Sequence, residues 1–254
     1  MTQETPAVRR AFEILEYLGD RRGATLSEIA RDLGLPKNSA QRILFTLVRT
    51  GYAALDGREY SLSPQLFRLG SMSLHTTRLR DKALPLMHEL CSATRETVLL
   101  GVPLGDRGIV IEQVITPEPI KITVDIGTRF HLHSAAPGKI FLAFLPESER
   151  REMLDKIQLV ARTDQTITDR ARLEEVLNTV REEGVAYDLG EDIEGLRCLA
   201  APIFNYAGEI VASIWLSGPR FRLEDAALAE MKPLVIEAGR RLSQAMGADV
   251  EQIR

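Results

Sequence analysis

The chain has 254 residues and a formal net charge of −4, from 32 Lys or Arg against 36 Asp or Glu. That length suits two domains of modest size, each with its own core, and the charge excludes a uniformly basic nucleic-acid binder. Cys91 and Cys198 make neither a disulfide framework nor a metal knuckle, no apolar run approaches the ~20 residues of a membrane span, and the N-terminus lacks a signal-peptide pattern, so a cytoplasmic protein is expected.

From residue 6 to residue 20, Val8, Ala11, Phe12, Leu15 and Leu18 fall on one stripe, with Arg9, Arg10, Glu13 and Glu16 outside it. This predicts a first helix, capped by Thr5 and opened by Pro6. The next stretch, TLSEIARDLGLPKNSAQRILFTLVR (25–49), reads as two short helices joined by a tight turn. Thr25 and Glu28 have the T-x-x-E spacing of a capping box, Gly34 suits the left-handed residue that closes a helix, and Pro36 suits the opening of the next.

In the second helix Ala40, Ile43, Leu44, Leu47 and Val48 repeat at helical spacing and define a buried face. The other face carries Lys37, Asn38, Ser39, Gln41, Arg42, Thr46 and Arg49 with no acid among them, the side-chain types that reach phosphates and base edges in a major groove. Two β-prone runs then flank Asp56-Gly57, a hairpin signal with Arg58 near its tip. A helix-turn-helix followed at once by a hairpin is a winged helix. Arg9, Arg10, Lys37 and Arg58 are its candidate phosphate contacts; Asn38, Ser39, Gln41, Arg42 and Thr46 complete the candidate DNA-binding set. Residues 1–75 hold ten basic and eight acidic residues, +2, which leaves 22 and 28, −6, for the rest. The asymmetry agrees in sign with an N-terminal DNA-binding part.

Residues 63–77 carry Leu66, Phe67, Leu69, Gly70 and Leu74 at helical spacing and predict a linker helix between a domain at 1–62 and one at 78–254. A second helix is expected over Leu79 to Thr94, with Cys91 in its apolar set. Three β-prone runs follow, VLLGVPL, GIVIEQVI and IKITVDIG, and then FHLHSAAPGKIFLAFLP, where an extended segment gives way to a helix near Pro137. Helices are expected at 147–157 and 169–183, a strand over Glu209 to Pro219, and a last helix over Leu223 to Met246. Strands among helices without regular βαβ alternation predict an α+β domain with a mainly antiparallel sheet.

In this last domain, Gly184, Asp188, Glu191, Cys198-Leu199-Ala200 and Ile203-Phe204-Asn205 stand at a spacing that resembles the signature of the IclR family of bacterial transcriptional regulators. With the winged helix, the HSAAPGKIFLAFLP stretch and the LSGP stretch, the resemblance covers nearly the whole chain. It implies a winged helix-turn-helix, a linker helix and a C-terminal GAF-like effector domain, and a regulator rather than an enzyme. Its implied partners are double-stranded operator DNA, a small organic or aromatic acid, and further copies of itself as a dimer or tetramer, with no cofactor. By correspondence of motifs, Ala136, Pro137, Asp188, Leu196 and Cys198 line the effector pocket. One departure bears on the ligand: Ala136-Pro137 stands where the family often ends a small-residue pair in Gly-Ala, and proline removes an amide donor.

Read from the residues alone, a turn before a helix near Pro137 points amides at an anion, and Gly138 permits close approach. His131, His133 and Arg197 are possible carboxylate partners. The two histidines alternate along a strand and read equally as a structural pair, Asp188 as a turn cap, Glu191 as a surface acid, and Arg197 as pointing away from the pocket by alternation. Two other classes use the same residues. Cys198 as nucleophile, with His131 or His133 as base and Asp188 or Glu191 to orient it, is a formal triad. The histidines, Cys198 and a carboxylate form a formal metal set. A third class, an architectural DNA binder without an effector, leaves the long C-terminal part without a task.

Overall fold

Thr25 and Glu28 act as their spacing predicts: the Glu28 N–H donates to Thr25 Oγ1 (3.4 Å) and the Thr25 N–H to the Glu28 carboxylate (2.8 Å). This reciprocal cap starts the second helix of a computed structural model that describes residues 5–21, 23–66, 68–69 and 79–249. The chain separates into two units, Met1–Thr77 and Arg78–Arg254.

The first unit contains α1 (Pro6–Gly19), β1 (Ala24–Thr25), α2 (Leu26–Asp32), α3 (Lys37–Arg49), β2 (Ala53–Asp56) and β3 (Glu59–Leu62). Gly34, at φ +63°, closes α2. The hairpin register pairs Asp56 with Glu59, so its two-residue loop is Gly57-Arg58 rather than Asp56-Gly57. β1 adds a third strand against β3, too short to leave a periodic signal. Ile14, Leu18, Ile29, Leu44 and Leu47 form the core.

Two details of α1 differ from expectation. The Thr5 side chain makes no capping bond, so Pro6 alone marks the start. Of the expected stripe, Leu18 is buried and Ala11 and Leu15 pack against the core, but Val8 and Phe12 are exposed and Ile14, outside the stripe, is fully buried, so the buried face is rotated toward Ile14. Of the expected linker, residues 64–66 and 68–69 are helical, and residues 67 and 70–77 lie outside the described residues.

The second unit runs α4 (Leu79–Thr94), β4 (Thr97–Leu104), β5 (Arg107–Val114), β6 (Arg129–His131), α5 (Ala136–Phe144), α6 (Glu147–Lys156), α7 (Arg170–Glu183), β7 (Ala186–Asp188), β8 (Leu196–Phe204), β9 (Ile210–Pro219) and α8 (Asp225–Ala245). Its six strands are antiparallel throughout, in the order β6-β5-β4-β9-β8-β7. Successive residues of β8 point to opposite faces. Ala200 joins a core with α5 and α7, whereas Ala201 packs against Gly239 of α8. The sheet is therefore covered by helices on both sides.

IKITVDIG is not a strand. Despite its β-branched alternation, residues 120–126 are irregular, and side chains rather than a neighbouring strand take their backbone bonds. The Ile122 carbonyl accepts from the Thr97 hydroxyl (2.8 Å), the Val124 N–H donates to the Gln113 side chain (3.2 Å), and the Ile120 carbonyl accepts from Arg222 (2.7 Å). Bonds of Gly127 and Thr128 to Val110 then return the chain to the sheet. This strap bounds the cavity described below.

Candidate functional site

Two sites take shape, one in each unit. In the first, Ala40, Leu44 and Leu47 seat α3 on the core, which turns Lys37, Asn38, Gln41, Arg42, Thr46 and Arg49 outward. Arg58 stands exposed in the hairpin loop. Two of the expected polar readers are already engaged. The Thr46 hydroxyl donates to the Arg42 carbonyl one turn back (2.9 Å), and the half-buried Ser39 hydroxyl accepts from Arg10 (3.4 Å). Arg9 pairs with Glu13 along α1 (3.2 Å).

In the second unit a cavity of about 490 Å³ opens where the strap, β6, the start of α5 and the 189–196 loop converge on the sheet, a size suited to a small ligand. Leu99, Val110, Phe130, Leu196 and Trp215 make its apolar wall. Phe130 and Trp215 meet edge to face at 5.4 Å and tie that wall to the core. Lys121, Arg129 and Arg162 stand exposed at the rim, while Asp188, Cys198 and Ser217 lie deeper.

Of the residues expected to line the pocket, Pro137, Asp188, Leu196 and Cys198 do so. Ala136 does not: it is fully buried in the core, and Ala135, the N-cap of α5, faces the cavity instead. Gly138 also has another reason to be glycine. A Cβ there would lie 2.3 Å from the His131 carbonyl oxygen, so its close approach is to the β6 backbone and not to a ligand. Arg197 points away, donating to the Leu223 carbonyl (3.0 Å) and to Asp225 (2.6 Å).

Glu191 is no surface acid. It is buried and accepts a bond from Lys139 of α5, whose side chain is 1% exposed. Glu191 Oε2 has no hydrogen-bond partner. Burial pushes the Glu191 carboxyl up, against the pull of Lys139. The pair ties the 189–195 loop to α5, and with it the nest of N–H groups from Gly190 (3.0 Å), Glu191 (2.6 Å) and Asp192 (3.4 Å) that donate to Asp188 Oδ1. Asp192 is held by the Ser134 hydroxyl (2.6 Å), Arg162 (3.2 Å) and His131 (3.3 Å). Nothing local in the sequence marks these residues: a Gly-Lys pair opening a helix carries no sign that Lys139 is buried, and Asp192 and Arg162 meet only through the fold.

Burial pushes the Asp188 carboxyl up to about 6 from its ordinary 3.8, with Lys139 and the Glu191 N–H pulling the other way. Between about pH 4 and pH 6 the folded chain thus keeps a proton that the unfolded chain has released. Stability from this group is greatest at the acid end and falls as pH rises through that window, by on the order of 3 kcal/mol. Asp188→Asn keeps an acceptor for the three N–H groups but cannot titrate. Urea unfolding from about pH 4 to pH 7 is expected to show wild type losing ground to the variant as pH rises; parallel profiles would refute the assignment.

The formal triad does not assemble. Burial pushes the Cys198 thiol far up, and its S–H donates to Ser217 Oγ (3.3 Å). His133 lies in the turn after β6, not on the strand with His131; it is buried, desolvation lowers its pKa, and Nε2 lies 3.0 Å from the Val160 carbonyl. Neither histidine lines the cavity. Among the described residues no group of three or more His, Cys, Asp and Glu side chains comes together as a metal ion would require. No helix among them is long and apolar enough to cross a membrane.

A winged helix whose outward α3 face carries no acid, in a chain whose second unit is a helix-covered sheet with a cavity, is the make-up of a DNA-binding regulator. Comparison with known proteins agrees. Residues 7–57 match the IclR helix-turn-helix domain and residues 71–244 the bacterial transcriptional regulator IclR C-terminal domain. The HTH-type transcriptional regulator BhcR of Paracoccus denitrificans is 39% identical over 94% of this chain and 87% of that protein. An IclR transcriptional regulator from Alicyclobacillus acidocaldarius superposes with a TM-score of 0.86 at 30% identity, over 97% of this chain and all of that one. An IclR homologue from Microbacterium hydrocarbonoxydans, solved as a complex with 4-hydroxybenzoate, shares the fold at 24% identity and a TM-score of 0.81, over 94% and 98% of the two chains. The chain belongs to the IclR family of bacterial transcriptional regulators. Proteins of this family are named regulators and repressors, not enzymes.

Proposed function

We propose that this chain binds a palindromic operator as a dimer, or as a tetramer of two dimers, in the cytoplasm, with α3 in the major groove, and that a small organic or aromatic acid in the second-unit cavity modulates that binding. The observation that carries the effector reading is the composition of the cavity: an apolar wall of Leu99, Val110, Phe130 and Trp215 under a rim of Lys121, Arg129 and Arg162. Such a cavity suits an anion with a short apolar body, its carboxylate toward the rim and a polar group toward Asp188, Cys198 and Ser217. The ligand of the Microbacterium neighbour, 4-hydroxybenzoate, has that layout and belongs in any panel.

On the DNA side, Asn38, Gln41 and Arg42 are the base readers and Lys37 and Arg58 the phosphate contacts, with half-sites about one helical turn apart or a multiple of it. Arg42→Ala is expected to weaken operator binding by on the order of 1–3 kcal/mol in a titration with labelled duplex. An unchanged affinity removes Arg42 from the reading set.

By linkage, a ligand that weakens DNA binding must itself bind the DNA-bound form less well. A thermal-shift panel of aliphatic and aromatic acids finds the ligand, because binding stabilises the folded state. Operator affinity is then measured with and without it. Asp188→Ala should alter the ligand response and leave ligand-free DNA affinity as it was. If a saturating ligand leaves operator affinity unchanged, control by the cavity is wrong and DNA binding alone stands.

A further inference from the structure

The outward face of α3 is not wholly polar. Phe45 is 61% exposed. It stands one turn beyond Gln41 and Arg42 and one turn before Arg49, so on a helix of 3.6 residues per turn it lies on the ridge of the DNA-facing donors rather than beside it. Ala40, Leu44 and Leu47 carry the contact with the core, which leaves the Phe45 ring no role in seating the helix. The Arg49 guanidinium lies over that ring, 5.8 Å from its centre, an arrangement that orients both side chains. Meanwhile the Thr46 hydroxyl is turned back onto the Arg42 carbonyl and the Ser39 hydroxyl is engaged by Arg10. The ridge offered to a partner is therefore Asn38, Gln41, Arg42, Phe45 and Arg49, with an aromatic ring near its middle.

A major groove presents one apolar group on its base edges, the 5-methyl of thymine. We infer that Phe45 is a specificity-determining residue of this chain, its ring seated against a 5-methylpyrimidine in the operator, with Arg49 held beside it. The inference rests on the reading of α3 as the groove-entering helix. In a duplex the methyl group belongs to thymine or to a methylated cytosine, and the two are separated by using unmethylated synthetic DNA.

The test starts from a duplex selected out of a randomised library by the full-length chain. Each thymine of the preferred site is replaced singly by deoxyuridine, which removes only the methyl group, and affinity is measured for wild type, Phe45→Ala and Arg42→Ala. At one position, the replacement should weaken wild-type binding about fourfold, equivalent to the ~0.8 kcal/mol of one buried methylene-sized group. Phe45→Ala should lose that penalty and Arg42→Ala should keep it. A penalty of equal size in wild type and Phe45→Ala, or none at any thymine, overturns the inference while leaving α3 as the reading helix. A changed sedimentation coefficient for Phe45→Ala with the penalty intact also overturns it and makes the ring a contact between copies. If the alanine variant binds too weakly to compare, Phe45→Leu makes the same comparison, an unchanged penalty again counting against the ring. If the wild-type chain enriches no sequence at all, the reading of α3 itself falls, and this inference with it.

Discussion

Glu191→Ala is expected to destabilise the chain by about 3–5 kcal/mol, because it strands the Lys139 ammonium in the interior without its counter-ion. Lys139 is 1% exposed and cannot reach water without moving α5, every residue of which from Ala136 to Ala143 is buried. Asp188, whose carboxyl also feels Lys139, already spends Oδ1 on three backbone N–H groups and gives only partial compensation. For a unit of this size the loss corresponds to a fall in melting temperature of roughly 10 °C. The double variant Lys139→Met/Glu191→Leu should recover most of it, since replacing both members of a buried pair by apolar side chains is often nearly neutral. The single variants Lys139→Met and Glu191→Leu and the double therefore form a cycle whose large coupling is the measured quantity. Glu191→Ala unfolding within about 1 kcal/mol of wild type would mean that water reaches the pair. The Lys139–Glu191 pair also ties the 189–195 loop to α5, so even the folded fraction of Glu191→Ala should present Asp188 less firmly to the cavity and bind the proposed effector more weakly.

What could be read in the sequence divides by the range of the forces involved. The Thr25–Glu28 cap, the left-handed Gly34, the hairpin and the helix Leu79–Thr94 are set by residues within a few positions of one another, and pattern alone found each of them. Phe12 shows the first limit. Val8-Phe12-Leu15 and Ala11-Ile14-Leu18 are overlapping stripes on one helix, and only the partner surface decides that Ile14 is buried and Phe12 is not. The strap 120–126 shows the second. Its composition favours a strand, but a strand needs a neighbour, and the groups that take its backbone bonds are the side chains of Thr97, Gln113 and Arg222, 11 to 102 residues from their partners. Lys139 shows the third, because its burial depends on a carboxylate 52 residues on. Of the residues that the motif spacing assigns to an effector pocket, Asp188, Leu196 and Cys198 line the cavity, whereas at the start of α5 Ala135 lines it rather than Ala136, a choice that turns on the rotation of the first helical turn.

That first turn is also where the smallest change should do the greatest harm. Gly138→Ala adds one methyl group, and its Cβ would lie 2.3 Å from the His131 carbonyl oxygen, 2.5 Å from Leu132 Cα and 2.7 Å from the Leu132 carbonyl oxygen. Carbon atoms need about 3.5 Å or more. All three obstacles are backbone atoms, so no rotamer change relieves the clash, and either α5 or the end of β6 must shift by about 1 Å. Neither is free to move: α5 is buried along its length, Pro137 lines the cavity, Lys139 is locked to Glu191, and β6 is bonded to β5. The expected cost is therefore at or above the ~3 kcal/mol upper end for overpacked sites. Gly184→Ala supplies the contrast. Gly184 closes α7 at φ +68° with nothing within 4 Å of a Cβ, so alanine there meets backbone strain alone, about 1 kcal/mol. Thermal or urea unfolding of the two variants should rank Gly138→Ala well below Gly184→Ala, with ligand stabilisation lost in the former and kept in the latter. The reverse order would mean that α5 stands off β6 far enough to admit a methyl group, and that the cavity wall it supports is not fixed by that contact.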